Sequence, residues 1–169
     1  MEKNKLTLIK KLKKLEVLTK GTFVLHSGKV SDYYLDIKKA YSDPKVLSLM
    51  AKMIASKIPK KVTCVAATGH GGIPLATAIS IIKSIPLILV RQTARDHGTM
   101  SAIDGYIPNS NDIVAIIDDV YSTGSSINQI TNALSQYNLK IAGAFVIVSR
   151  VSGKTPSNVN NLLSIRDFV

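Results

Sequence analysis

The stretch Asp112–Ser126, DIVAIIDDVYSTGSS, decides how this 169-residue chain folds. Its five apolar residues, Ile113–Ile117, predict a buried strand, and two adjacent carboxylates, Asp118 and Asp119, follow that strand at once. Two carboxylates at the end of a buried strand are costly unless a ligand needs them. A ribose with neighbouring hydroxyls, or a hydrated Mg²⁺, would provide such partners.

The residues after the acid pair are small, hydroxylated and able to turn tightly. They form the segment Ser122–Ser126, which leads into a helix predicted to begin near Ile127. Backbone N–H groups at a helix N-terminus, together with hydroxyl donors, make a cradle for a phosphate. The alternative is an ordinary strand–turn–helix connection in which the Ser and Thr side chains only cap the helix.

Strand-like and helical patterns alternate from residue 62 onward. Apolar runs lie in VTCVAA, IPLILV, DIVAII and IAGAFVIVSR, and helical segments lie in IPLATAISIIK and INQITNALSQY. Continuous Val and Ile runs separated by helices predict βαβ units and a parallel sheet covered on both faces. The ligand of such a sheet binds beyond the carboxyl ends of the strands. Four polar or glycine-rich segments are expected to meet there: Thr68–Gly72, Arg91–Gly98, Asp118–Ser126 and Arg150.

The first sixty residues predict a helix, a hairpin and a second helix. Apolar residues at helical spacing predict an amphipathic helix through the first twenty residues; they are Leu6, Ile9, Leu12, Leu15 and Leu18. The stretch GTFVLHSGKVSDYYLDI, residues 21–37, has turn residues between two extended patches and predicts a hairpin. Asp43 as N-cap and Pro44 at the first helical position predict the start of the second helix.

Composition places the chain among ordinary folded domains. It is 46% hydrophobic and 20% charged, and 169 residues suit one domain with one core. No apolar run reaches the roughly 20 residues of a membrane helix, and the N-terminal MEKNKLTLIKK shows no secretory signal. The single cysteine, Cys64, has no internal disulfide partner, and its apolar neighbours indicate a buried, inert thiol. A cytoplasmic protein is expected.

The formal net charge of +11 lies on two lysine-rich segments. Residues 1–20 hold seven Lys and two Glu, a net of +5, and residues 38–61 hold seven Lys and one Asp, a net of +6. The rest of the chain balances, with eight basic and eight acidic residues. Lysines spread along helices usually form a solvated face, and no aromatic residues are interleaved as in single-strand binders. The pattern therefore disfavours nucleic acid as a partner.

Several motifs carry a resemblance to a known family. VAIIDDVYSTGSS (Val114–Ser126) resembles the signature with which type I phosphoribosyltransferases bind phosphoribosyl pyrophosphate (PRPP). FVLHSGKVSDYYLD (Phe23–Asp36) resembles the N-terminal signature of the orotate phosphoribosyltransferases. GHGGIPLA (Gly69–Ala76) resembles their pyrophosphate loop, and RQTARDHG (Arg91–Gly98) resembles their mobile catalytic loop. The matches follow the family's order and span about residues 20–150.

The resemblance implies an α/β protein with the type I phosphoribosyltransferase fold, a central mostly parallel sheet flanked by helices with a small N-terminal hood subdomain. Residues 1–169 would then form a single domain, with residues 1–40 and the C-terminal tail contributing to the hood. The resemblance also implies a homodimer in which the loop Arg91–Gly98 acts in trans on the neighbouring subunit's site.

The resemblance implies transfer of the phosphoribosyl group from PRPP to orotate, with Mg²⁺ as the cofactor. Mg²⁺ would be held mainly by PRPP and would be reached through water from the acid pair. The expected catalytic residues are Arg95, His97, Asp118 and Asp119. The residues expected to bind orotate are His26, Ser122 and Arg150. The residues expected to bind PRPP are Gly71, Gly72, Arg91, Arg95, His97, Asp118, Asp119, Val120, Tyr121, Ser122, Thr123, Gly124, Ser125 and Ser126.

Three positions carry less positive charge than is usual in the family. Gln92, Gly71 and His26 stand where a lysine is common. Two other functions therefore stay open: a phosphoribosyltransferase for another base, such as a purine, and a non-catalytic PRPP-sensing regulator on the same fold. Arg150 favours an acidic base, because a planar guanidinium suits a carboxylate. The segment before residue 20 offers one helix, too little for a helix-turn-helix domain.

Overall fold

Helices and strands alternate along the chain in a computed structural model, which describes residues 2–24, 28, 30–93, 102–151 and 153–168. The helices are α1 Glu2–Lys14, α2 Pro44–Lys57, α3 Gly69–Lys83 and α4 Ser125–Leu134. The strands are β1 Leu18–Val24, β2 Val30–Leu35, β3 Cys64–Thr68, β4 Leu87–Val90, β5 Ile103–Gly105, β6 Ile113–Tyr121, β7 Lys140–Ser149 and β8 Val159–Ser164. Short 3₁₀ segments cover Ile37–Ser42, Ser135–Tyr137 and Ile165–Asp167.

The strands form two sheets. The larger sheet has the order β5-β4-β3-β6-β7-β8, and every neighbouring pair is parallel except β4 and β5. The smaller sheet is the antiparallel pair of β1 and β2, which is the hairpin predicted from the sequence. The predicted mostly parallel α/β architecture is therefore confirmed. The antiparallel strand β5 was not predicted, because three residues are too few to show a period of two.

The core of the large sheet lies on both of its faces. One cluster packs residues of α1, α2 and α3 against it, including Leu8, Met50 and Leu75. The other cluster packs α4 against the opposite face, with Ile130 and Ile116 among its members. Burial on both faces explains why the strands read as continuous apolar runs rather than as alternating ones. No helix in the described part of the chain is long and apolar enough to cross a membrane.

The first helix differs from the prediction in its buried face and in its end. Leu6 is 56% exposed, whereas Leu8 and Leu12 are fully buried. Residues spaced by three rotate roughly 60° around a helix at each step, so the predicted series could not keep one face. The helix ends at Lys14, and Leu18 starts β1 instead of extending the helix.

The second helix begins as predicted. The Asp43 carboxylate accepts hydrogen bonds from the backbone N–H groups of Lys45 at 2.8 Å and Val46 at 3.3 Å. Pro44 occupies the first helical position, where its missing N–H has no intrahelical partner to lose.

The third helix begins earlier than predicted. The sequence suggested a turn through Gly72, but α3 starts at Gly69, directly after β3, so Pro74 lies beyond its first turn. The glycines make this possible, because a Cβ at Gly72 would lie 2.8 Å from the carbonyl oxygen of Ile117 in β6. The first turn of α3 therefore packs directly on β6.

Strand β6 also runs further than predicted. Asp118 and Asp119 were expected at the strand's end, but pairing with β7 continues to Tyr121, which lies opposite Ser149. The acid pair is thus held in extended backbone between two paired strands rather than in a loop.

The packing of α1 makes a testable prediction. Leu12→Ala should lower the free energy of unfolding by about 2–5 kcal/mol, because it leaves a cavity in the core. Leu6→Ala makes the same chemical change on the exposed side of the same helix, and it should change stability by less than about 0.5 kcal/mol. Urea unfolding of both variants measures this difference. An equally small loss of unfolding free energy in both variants would show that α1 does not belong to the core.

Candidate functional site

The acid pair lies at the carboxyl edge of the large sheet. Asp118 is 7% exposed and Asp119 is partly buried. The backbone N–H of Asp119 donates to Asp118 Oδ1 at 3.0 Å, and that of Val120 donates to Asp119 Oδ1 at 2.8 Å. The side chain of Ser126, at the start of α4, also hydrogen-bonds to Asp118. These contacts hold both carboxylates in place and leave further oxygen lone pairs for a ligand.

The N-terminus of α3 lies against this pair. A Cβ at Gly71 would fall 2.5 Å from Asp119 Oδ1, so the helix can approach only because that residue has no side chain. Thr68 precedes the helix but does not cap it, since its hydroxyl donates to the carbonyl oxygen of Val90 at 2.8 Å. The positive end of the α3 dipole therefore faces the acid pair and the space next to it.

The N-terminus of α4 forms the opposite wall. Gly124 is its N-cap, with φ of +80°, and no side chain caps the first turn. Ser122, Thr123 and Ser125 are exposed. The alternative that Ser and Thr only cap this helix is therefore not supported. The first N–H groups of α4 and the exposed hydroxyls can together bind an anion such as a phosphate.

Arg91 lies at the end of β4, next to a cavity of about 400 Å³. Its guanidinium forms an ion pair with Asp104 of β5, and its Nε is buried without a hydrogen-bond partner. The side-chain amide of Gln129, in α4, donates to the carbonyl oxygens of Arg91 at 2.8 Å and Gln92 at 3.2 Å. The cavity is lined by residues of α3, β4 and β5, among them Gly69, His70, Arg91, Gln92 and Asp104.

Arg150 follows β7 and connects the sheet edge to the hairpin. Its backbone N–H donates to the carbonyl oxygen of Tyr121 at 2.8 Å. Its Nη2 lies 3.5 Å from Ser31 Oγ, and its Cζ lies 5.4 Å from the centre of the Tyr33 ring, within the range of a cation–π contact. The hairpin β1–β2 therefore lies beside the carboxyl edge of the large sheet, with Arg150 between them.

The 3₁₀ segment Ile37–Ser42 also borders the acid pair, although the sequence did not single it out. The hydroxyl of Tyr41 donates to the carbonyl oxygen of Gly71 at 2.5 Å. Lys38 Nζ lies 2.7 Å from Asp36 Oδ1. Lys38 belongs to a lysine-rich segment that was interpreted as a solvated face, and nothing in its spacing distinguishes it from its neighbours.

Most of the predicted site residues thus meet at one edge of the sheet. The acid pair, the two helix N-termini, Arg91 and Arg150 surround one region, and the prediction missed Lys38, Tyr41, Asp104 and Gln129, which also lie there. Asp104 lies shortly after RQTARDHG in the sequence. A carboxylate so close to two arginines was the sequence signal that could have identified it. Three predicted residues lie outside the described residues: His26, Arg95 and His97.

A larger cavity, of about 510 Å³, lies elsewhere, between α1, α2 and β8. Its walls are lysine stems and apolar side chains, including Lys5, Lys52, Met53 and Leu162. Neither the acid pair nor the N-terminus of α3 or α4 contributes to it. The candidate site is therefore assigned to the carboxyl edge of the sheet.

The positive charge near the acid pair does not compensate for the burial of its two carboxylates. Burial, reinforced by the negative charge of Asp119, raises the pKa of Asp118 to about 7. Burial also raises the pKa of Asp119, although the ammonium of Lys38 acts in the opposite direction. Ribose hydroxyls or a hydrated cation would supply the donors or the charge that the two carboxylates lack.

The donor set also indicates how Mg²⁺ would be held. Within the described ranges, no three His, Cys, Asp or Glu side chains come close enough together to bind a metal ion. Two adjacent buried carboxylates fit a hydrated Mg²⁺ through its water molecules, with its other ligands coming from phosphate oxygens. The residues present therefore fit a metal that arrives with a phosphorylated ligand.

The raised pKa of Asp118 predicts how stability changes with pH. Because its folded pKa of about 7 exceeds its ordinary value of 3.8, the contribution of Asp118 to stability is fully present below pH 3.8 and is lost as pH rises through 7. Asn cannot ionise, so the stability of Asp118→Asn relative to wild type should increase as pH rises from 5 to about 7 and level off by pH 8. Urea unfolding across this range measures it, with the exposed Asp32→Asn as the control. Parallel pH curves for Asp118→Asn and wild type would contradict the prediction.

Comparison with known proteins identifies the family. The family described as "Phosphoribosyl transferase domain" matches residues 36–167. Over 146 residues the chain is 38% identical to the orotate phosphoribosyltransferase of Methanocaldococcus jannaschii, covering 86% of this chain and 82% of that protein.

Two solved structures share the fold. The orotate phosphoribosyltransferase of Aeropyrum pernix is 27% identical with a TM-score of 0.81, and 95% of each chain is covered. The UMP synthase of Leishmania donovani is 28% identical with a TM-score of 0.83, covering 96% of this chain but 36% of that longer one. The resemblance drawn from the motifs is confirmed, and the chain belongs to the orotate phosphoribosyltransferases, within the phosphoribosyl transferase domain family.

Proposed function

We propose that this transferase moves the 5-phosphoribosyl group from PRPP to orotate, giving orotidine 5′-monophosphate and pyrophosphate in pyrimidine (UMP) biosynthesis. The observation that carries the proposal is the buried acid pair of β6, flanked by the uncapped N-termini of α3 and α4. One ligand with a phosphate at one end, a pyrophosphate at the other and a ribose between them would satisfy all three features.

The proposed PRPP site follows the edge of the sheet. The 5′-phosphate binds the N-terminus of α4 and the segment Val120–Ser126, where backbone N–H groups and hydroxyls are available. The ribose hydroxyls donate to Asp118 and Asp119, which can only accept once they are ionised. The pyrophosphate lies at the first turn of α3, where Gly71 and Gly72 leave room for phosphate oxygens, and near Arg91.

Mg²⁺ is the proposed cofactor, carried into the site by PRPP and bound through water by Asp118 and Asp119. When bound, it neutralises negative charge on the pyrophosphate leaving group. The two carboxylates would contribute by fixing the ribose, and the nearby cation would lower the repulsion between them when both are ionised.

Orotate is proposed to lie between the ribose and the hairpin. Arg150 carries a permanent positive charge next to Tyr33 and can bind the orotate carboxylate through two parallel hydrogen bonds. Ser122 is exposed at the end of β6 and can donate to a ring oxygen. His26, in the hairpin, is the third proposed orotate contact.

The chemistry exchanges one bond at the ribose C1 for another. The bond from C1 to pyrophosphate breaks through a transition state with oxocarbenium character, as in glycoside cleavage. Arg95 and His97 are proposed to stabilise or protonate the leaving pyrophosphate. The orotate nitrogen then forms the new bond to C1 and loses its proton, which leaves with the pyrophosphate or to solvent. Asp118 and Asp119 hold the ribose while positive charge develops on it, and their negative charge favours that development.

The protein is proposed to act as a homodimer in the cytoplasm, with the whole of residues 1–169 as one domain and residues 1–40 and the C-terminal tail in its hood. Ile81 and Ile82, at the end of α3, are 73% and 43% exposed, and Ile107, just after β5, is 57% exposed. Exposed apolar side chains of this size favour a surface that another subunit covers. The loop Arg91–Gly98 would then run from Arg91, beside its own subunit's site, and carry Arg95 and His97 to the neighbouring subunit's site.

An assay of purified protein tests the function. Orotate absorbance should fall when PRPP and Mg²⁺ are both present, and Asp118→Asn/Asp119→Asn should slow this by at least about a hundredfold, as when a key electrostatic group is removed. The exposed Asp32→Asn is the matched control and should react as wild type does. No loss of orotate, with a purine consumed in its place, would identify a different base. PRPP binding without consumption of any base would identify a sensor.

Complementation tests the dimer and its trans-acting loop. Arg95→Ala and Asp119→Asn should each be inactive alone, but a heterodimer of the two would contain one site with neither change. With random pairing in co-expressed protein, activity should return to about a quarter of wild type. Isolated heterodimers that stay inactive would show that the loop serves its own subunit.

A further inference from the structure

The 3₁₀ segment Ile37–Ser42 presents three distinct sides, because residues three apart eclipse one another in a 3₁₀ helix. Ile37 and Ala40 share the fully buried side. Tyr41 is on the side that reaches α3, where its hydroxyl donates to the carbonyl oxygen of Gly71. Lys38 shares that side with Tyr41. Lys39 points elsewhere, and its Nζ donates to the carbonyl oxygen of Glu16 at 2.9 Å.

The first turn of α3 cannot provide a positive side chain where it meets the acid pair. Any side chain at Gly71 would begin with a Cβ 2.5 Å from Asp119 Oδ1. Of the other cations described at the site, Arg91 is paired with Asp104 and Arg150 lies against Tyr33 and Ser31 of the hairpin, so Lys38 would act in addition to them. Lys38 is on the side of the 3₁₀ segment that faces Gly71, and its charge acts directly on Asp119.

Lys38 is charged and free to change partner. Although burial lowers its pKa, the hydrogen bond to Asp36 and the negative charge of Asp119 raise it overall. Its ion pair with Asp36 is 2.7 Å long, and the Lys38 side chain is 44% exposed. An exposed pair of this kind is held weakly, and the lysine stem is flexible, so the ammonium can move to a stronger acceptor.

The ligand would place such an acceptor next to Asp119. In PRPP, pyrophosphate leaves from C1, and the hydroxyls expected on the acid pair belong to the neighbouring carbons of the same ring. A polyanion held this close to two carboxylates is repelled by them, and a lysine between them would add to the positive charge that Mg²⁺ supplies. We propose that Lys38 binds the pyrophosphate group of PRPP, moving from Asp36 to a phosphate oxygen and separating that oxygen from Asp119. The inference rests on the PRPP site proposed above.

Three variants and two ligands test it. Lys38→Met should raise the Kd for PRPP with Mg²⁺, measured by calorimetry, by about 10- to 100-fold, the effect of losing one charge-assisted hydrogen bond. Lys38→Arg keeps the charge and should recover most of the affinity. Lys39→Met removes the same charge from the next residue and should match wild type. Ribose 5-phosphate lacks the pyrophosphate, so its affinity should be the same in all four proteins.

The outcomes separate this inference from the function on which it rests. Lys38→Met with wild-type affinity for PRPP would overturn the inference and leave the proposed function intact. An equal loss of affinity for ribose 5-phosphate would also overturn it, because Lys38 would then act only on Asp119. Wild-type protein that does not bind PRPP would overturn the proposed function, and this inference with it. Urea unfolding of each variant verifies that the fold is retained.

Discussion

The contact between the first turn of α3 and strand β6 is the constraint on which the rest of the site depends. Gly72 lies against the backbone of Ile117, and Gly71 lies against the carboxylate of Asp119, at distances that leave no room for a Cβ. This contact brings the positive end of a helix dipole to two buried carboxylates. It also fixes the carbonyl group of Gly71, to which the Tyr41 hydroxyl donates, so the position of the 3₁₀ segment depends on the same contact.

The site balances charges that no single element could balance alone. Negative charge is concentrated on β6, whereas the compensating partial or full positive charge comes from α3, α4, the 3₁₀ segment and the end of β7. Since these elements are far apart in the chain, folding must be complete before the acid pair has suitable surroundings. The cost of burying Asp118 and Asp119 is then offset by a ligand more fully than by the protein, and this favours binding over maximal stability.

Motif order and hydrophobic periodicity were enough to predict the parallel sheet and to place the acid pair at its carboxyl edge, just before the turn that leads into α4. These sequence patterns failed to predict the bounds of an element where packing against another element determines them. The start of α3 at Gly69 depends on close packing against β6, and the extension of β6 to Tyr121 depends on β7, neither of which is visible in local sequence. Lys38 was overlooked for the same reason, because its neighbours in sequence are also lysines and only its packing distinguishes it from Lys39.

The pairing of β5 with β4 holds together the two ends of the sequence that connects these strands. The backbone N–H of Arg91 donates to the carbonyl oxygen of Ala102 at 3.0 Å, and Val90 lies opposite Ile103 in adjacent strands. Both ends of the intervening sequence are thus joined by the sheet itself, and doubling its length would cost only about 0.6 kcal/mol of closure free energy. The sequence between Arg91 and Ala102 can therefore change, and with it the chemistry that the segment provides, while β4 and β5 keep their pairing.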